Sequence, residues 1–137
     1  MGNDNYSEKV SVNMNSSTLS SIDLLVDNGY YSNRSDFINQ AVRTALQQHQ
    51  STIDRIVDAN MNRASEENSW FIGVYGLTAE DVEQWFERGK KVSVRGYGVL
   101  VIDGGCDQEK LFTVLKGVSV RGKVIASVEV KKFYGVK

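Results

Sequence analysis

In the stretch "EKVSVNMNSSTL" (residues 8–19), Lys9, Ser11 and Asn13 alternate with Val10, Val12 and Met14. The polar set supplies an ammonium, a hydroxyl and a carboxamide, rich in hydrogen-bond donors and acceptors, with no nucleophile–base pair among them. Their chemistry is recognition rather than bond breaking. A second polar group, Asn33, Arg34 and Ser35, stands at the start of a predicted helix. Free backbone N–H groups and the positive dipole end make such a place a general anion site, to which Arg34 can add a charge-assisted bond. Elsewhere the chemistry is sparse. One histidine, His49, and one cysteine, Cys106, are too few for a His/Cys metal site, and His49 is expected on a helix surface. Residues 70–137 contain no histidine, and Cys106 has no candidate base at a readable spacing. "GYG" and "DGG" read as turn glycines rather than phosphate cradles. No catalytic residue, metal site or cofactor is assigned, and the chain is expected not to be an enzyme.

The elements that position these residues follow from periodicity. Residues 9–14 have the period-2 pattern of a strand with one apolar face. A helix is expected over residues 17–27, with Ser16 or Ser17 as N-cap and Gly29 as its stop. A second helix, capped by Ser32, presents Phe37, Ile38, Ala41, Val42, Ala45 and Leu46 on one face. It extends, with a break, towards Asn60. "RASEENS" (63–69) reads as a linker. Beyond it, "WFIGVY" is a strand candidate, and "GLTAEDVEQWFERG" is a helix capped by Thr78, with Asp81 closing a capping box and Leu77 stapling to Val82. "KKVSVRGYGVLVID" reads as two strands or a bent one, and "CDQEKLFTVLKG" as a short helix capped by Asp107. Trp70, Trp85 and Phe86 are expected in a core. The pentapeptide VSVRG occurs at 92–96 and again at 118–122, as a duplicated element, a β-solenoid repeat or a chance duplication.

Composition bounds the class. The 137 residues are 41% hydrophobic and 24% charged, which suits one globular domain or two small ones and excludes wholesale disorder. The polar residues 1–7 are expected to fray. No apolar run approaches the length of a membrane span, no secretory leader is legible, and a lone cysteine fits a reducing compartment, so a cytoplasmic location is expected. Charge is uneven. Residues 1–50 carry −2, residues 51–90 carry −4 and residues 91–137 carry +5.

A lone strand leaves its backbone N–H and C=O groups unpaired, and about 45 residues hold too little core to stand alone. Two copies resolve both difficulties, with the strands pairing antiparallel across a dyad. The segment "KVSVNMNSSTLSSIDLLVDNGYYSNRSDFINQAV" resembles a ribbon-helix-helix domain of the Arc/MetJ/CopG type over residues 8–48. The resemblance implies an intertwined homodimer whose two-stranded ribbon enters the DNA major groove. It further implies base contacts from Lys9, Ser11 and Asn13, and phosphate contacts from Asn33, Arg34 and Ser35. Lysine can donate to guanine O6/N7, asparagine can bond adenine N6/N7 in a bidentate manner, and serine can donate or accept. The departure is charge, since an acidic DNA-binding unit lacks the usual phosphate neutralisation. Lys90, Lys91, Arg95, Arg121, Lys123, Lys131 and Lys132 are the cations available for assistance.

The expected architecture is α+β. It comprises a DNA-binding and dimerisation domain over 1–50, a helical extension and linker over 51–69, and a small α+β regulatory or oligomerisation domain over 70–137. No family is recognised in residues 70–137. The nickel-responsive relatives carry a C-terminal regulatory domain, but its metal site needs histidines that this one lacks. The expected function is sequence-specific regulation of transcription, as a repressor, on double-stranded operator DNA with repeated half-sites. The C-terminal domain would serve an effector, a protein partner or assembly into a higher oligomer. The alternative is an antitoxin or other protein-interaction component that controls its own operator. A scaffold polymer built on the VSVRG strands is the outsider.

Overall fold

The computed structural model describes residues 6–137. The chain divides into two compact units, Glu8–Ile56 and a second formed mainly by Val57–Lys137, with the boundary inside a helix. The fraying expected of residues 1–7 falls mostly outside the described residues.

The first unit contains α1 (Ser16–Asp27), α2 (Arg34–Gln48) and the beginning of α3 (Gln50–Arg63). Two N-caps differ from expectation by one position. Asn15, not a serine, caps α1, its Oδ1 accepting the Thr18 N–H at 2.9 Å. Asn33 takes the place expected of Ser32, with Oδ1 accepting the Asp36 N–H at 2.8 Å, while the Ser32 N–H donates to Asp36 Oδ2 at 2.9 Å. In both cases the asparagine carboxamide reaches the third N–H of the helix as a hydroxyl would, and asparagine ranks with serine as a cap. Gly29, at φ +85°, closes α1 as expected, and the Tyr30 N–H returns to Leu25 O at 3.0 Å. The expected break after α2 falls at His49, which is exposed.

Ile22 is the sole buried residue of this unit. Residues 6–15 form neither helix nor strand within one chain, although residues 9–14 were expected to be extended in a ladder. A strand is defined by pairing, and among the described residues the first strand begins only at Asn68. Val10 is 78% and Val12 72% exposed, and the apolar face of α2 stays open at Ile38, Val42 and Leu46.

The second unit alternates strand and helix: β1 (Asn68–Leu77), α4 (Ala79–Glu87), β2 (Val92–Ile102), α5 (Gln108–Val114), β3 (Leu115–Ile125) and α6 (Val128–Tyr134). The strands form one parallel sheet in the order β1-β2-β3. Parallel neighbours need a crossover, and α4 and α5 supply them. Mixed helix and strand content agrees with the α+β expectation, and the parallel order is what strict alternation adds. The capping box is present as expected: the Asp81 N–H donates to Thr78 Oγ1 at 3.1 Å and the Thr78 N–H to Asp81 Oδ2 at 3.0 Å. Asp107 caps α5 through the Lys110 N–H at 3.1 Å.

Several boundaries move. "KKVSVRGYGVLVID" yields a single strand, so "GYG" lies inside β2 rather than in a turn. The linker shrinks to residues 64–67, closed by reciprocal Ser65–Asn68 backbone bonds of 3.1 and 3.2 Å. After α5 the chain forms β3 and then α6, the latter capped by Ser127 and ended by Gly135. The two VSVRG copies do not align, because Gly96 pairs with Val120 and not with Gly122. A different row does align, Gly73 with Gly98 with Gly122. At Gly98, with φ +127°, a Cβ would stand 1.9 Å from Gly73 O, so only glycine fits the middle of this row.

One core holds the unit together. Phe71, Val94, Leu100 and Val124 from the strands meet Val82, Leu111 and Val130 from the three helices, with Trp85 and Tyr134 packed at the margin. The Tyr134 hydroxyl donates to Leu115 O at 2.7 Å, and burial pushes its pKa above the ordinary tyrosine value. Alternation leaves the opposite face of the sheet to Trp70, Ile72, Arg95, Tyr97, Ser119 and Arg121, with Ile72 55% and Tyr97 53% exposed. Trp70 is therefore not a core residue. Neither is Phe86, which is exposed beneath Lys110, whose Nζ is 5.1 Å from the ring centroid.

Candidate nucleic-acid interface

Lys9, Ser11 and Asn13 lie on the exposed segment before α1, each open to solvent. The segment ends at Asn15, whose cap on α1 fixes where the extended chain turns into helix. Were the segment extended, alternation would put the three polar side chains on one side and Val10, Val12 and Met14 on the other. Within one chain both sides are exposed, so the apolar side has surface to bury and the polar side has groups to offer.

Asn33, Arg34 and Ser35 open α2. The Asn33 carboxamide is engaged in capping, which leaves the backbone N–H groups of Arg34 and Ser35, the first two of the helix, without an intrahelical acceptor. Arg34 is held from the side. Its Nε and Nη2 donate to the two carboxylate oxygens of Asp23 on α1 at 2.8 and 2.9 Å. These hydrogen bonds hold the Asp23 carboxyl below its ordinary pKa and raise that of Arg34. The bidentate fork uses Nε and Nη2 and leaves Nη1 outside it. Asp23 was not singled out from sequence. The only signal for it is an acid on α1 whose partner lies eleven positions away, which no local pattern exposes. Asp36 adds a second carboxylate close by. The Ser32 N–H and the Gln40 amide, at 2.9 and 3.0 Å, hold it ionised below the usual carboxylate range.

Of the cations expected to assist, Lys90 is paired with Glu66. Arg95 and Arg121 form no ion pair among the described residues. Cys106 lines a cleft of about 210 Å³ at the carboxyl ends of the strands, with Asp103, Ser127 and Glu129. Burial, then the nearby charges of Asp103 and Asp81, push its thiol up, which opposes thiolate chemistry there. Among the described residues no group of three or more His, Cys, Asp or Glu side chains is arranged to hold a metal, and no helix is long and apolar enough to cross a membrane.

A family model described as the ribbon-helix-helix transcriptional regulator family matches residues 5–131. The chain belongs to that family. The match covers far more than the segment 8–48 that carries the resemblance in sequence, and takes in the parallel sheet as well as the helices before it. This ribbon-helix-helix regulator thus has its sheet unit as part of the family chain rather than as an unrelated appendage. No curated protein and no solved structure matches it.

Proposed function

We propose that this transcriptional regulator acts as a repressor, in a homodimer whose residues 9–14 pair across a dyad to form a two-stranded ribbon in the DNA major groove. One observation carries the reading. The first unit has a single buried residue while Val10, Val12, Ile38, Val42 and Leu46 stay exposed, on a chain of the ribbon-helix-helix family. Apolar surface of this kind marks an interface, and a second copy supplies both the missing ladder and the missing core.

In that arrangement Lys9, Ser11 and Asn13 face the base edges, from a ribbon that fits the major groove. The N–H groups of Arg34 and Ser35 with Arg34 Nη1 take a backbone phosphate, and the Asn33 cap fixes their direction. Asp23 and Asp36 keep the local charge low. Sequence-independent affinity is then modest, and tight binding comes from base contacts or from several dimers on repeated half-sites. The second unit has its own core, which favours a folded regulatory or assembly module over an antitoxin tail that orders on its partner. Selection of genomic fragments with the purified protein tests the proposal. Enrichment of a short repeated duplex motif is expected, and recovery of fragments without a common motif would refute it.

A further inference from the structure

The uncovered face of the sheet is the largest feature that the ribbon leaves unexplained. Parallel sheets usually have both faces covered, and here α4, α5 and α6 all join the core on one side, while the end of α3 borders the other only at a cleft shared with Trp70 and Arg95. The other side is a grid fixed by strand register. Trp70, Arg95 and Ser119 form one row, Ile72, Tyr97 and Arg121 the next, and Val74, Val99 and Lys123 the third. The side facing β1 is aromatic and apolar, the side facing β3 is basic, and no carboxylate occurs in the nine positions. Trp70 and Tyr97 stand edge to face with centroids 6.3 Å apart. A cleft of about 210 Å³ runs between Trp70, Arg95, Tyr97, Ser119 and Arg121. A second, of about 280 Å³, shares Trp70 and Arg95 and adds Arg63, Asn68 and Ser69.

We propose that this face binds single-stranded nucleic acid, with bases stacked on Trp70 and Tyr97 and the backbone phosphates carried by Arg63, Arg95, Arg121 and Lys123. Accessible aromatic rings interleaved with guanidinium groups that form no ion pair among the described residues are the combination that single strands use, since every base has a face to stack and every phosphate a charge to neutralise. Two clefts that share Trp70 and Arg95 suit consecutive nucleotides better than one enclosed ligand. A second copy of the same face is disfavoured, because it would set arginine and lysine against arginine and lysine. The surface is distinct from the ribbon, which meets duplex DNA.

The test is anisotropy of a fluorescein-labelled oligothymidylate of about ten nucleotides, titrated with the full chain at low salt. Trp70→Leu and the pair Arg95→Gln with Arg121→Gln should each weaken binding roughly fivefold or more, Trp70→Phe should restore most of it, and the affinity should fall steeply with salt. All of these positions are partly or fully exposed, so far-UV circular dichroism should stay unchanged; Arg121→Gln alone, at the sheet edge, provides the same reading should a double variant misfold. Unaltered oligothymidylate binding in the variants overturns the proposal. So does thymidine monophosphate competing as well as the oligomer, which would make the face a mononucleotide pocket. Polyglutamate competing equally would make it a site for acidic protein, and a fall in oligomeric mass without loss of oligomer binding would make it a self-interface.

Discussion

Val12→Ala separates an intersubunit ribbon from a solvated tail. Val12 exposes 72% of its surface in one chain, so most of its side chain is available to be covered by a second copy. Removing two methyl-sized groups costs about 1.6 kcal/mol at full burial, taking ~0.8 kcal/mol for each. Scaled by the 72% still exposed, that is about 1.15 kcal/mol per chain, and about 2.3 kcal/mol per dimer because the residue appears twice. At 1.4 kcal/mol per tenfold, the dimer dissociation constant should rise about 40-fold. Sedimentation equilibrium across a dilution series measures it, with Ser11→Ala as the phase control. In a paired ribbon Ser11 would face away from Val12, and its replacement should change dimerisation by less than about threefold, within the range of a surface substitution. An unchanged constant in Val12→Ala, or an equal loss in Ser11→Ala, would show that the alternation does not define an interface.

Gly98→Ala should abolish the cooperative melting of the sheet unit, because the new Cβ would meet Gly73 O at 1.9 Å at a φ of +127°. Gly76→Ala, with nothing within 4 Å of its Cβ, should melt as the parent does by circular dichroism. Tyr134→Phe should cost about 1 kcal/mol through the lost bond to Leu115 O. It should also flatten an alkaline loss of stability. Burial raises the folded-state pKa of the phenol, so its contribution is full below the unfolded value and is lost as pH rises beyond it, readable in urea melts at rising pH. Arg34→Ala should weaken binding to all duplexes alike and lower the salt slope by about 1, whereas Asp23→Asn should tighten binding to random duplex by removing a carboxylate beside the same phosphate.

Legibility in the sequence followed the range of the interactions. Thr78, Asp81, Asp107 and Gly29 act within one helical turn of their partners, and each was read in its observed role. Asn15 and Asn33 were missed by a single position because serine and asparagine compete as caps on equal terms. The glycine row was hidden for a different reason. Its members are brought together only by register, and the repeated VSVRG is out of step with that register. Trp70 read as core because an aromatic inside a strand usually is. Its face is decided by which side the helices take, and that depends on the whole βα alternation. Asp23 could not be tied to Arg34 until two helices were folded against each other.

The central claim is that residues of the N-terminal segment read bases, and Asn13→Ala tests it most directly. Asn13 is exposed and takes no part in the caps of α1 or α2, so its replacement should leave the fold intact. The measurement is the ratio of affinities for the selected operator and for random duplex, at one salt concentration. Loss of a bidentate base contact should cost about 1–3 kcal/mol on the operator and nothing on random DNA, so the ratio should fall roughly 5- to 150-fold. A ratio equal to that of the parent would contradict direct readout from this position, and with it the ribbon as the reading element.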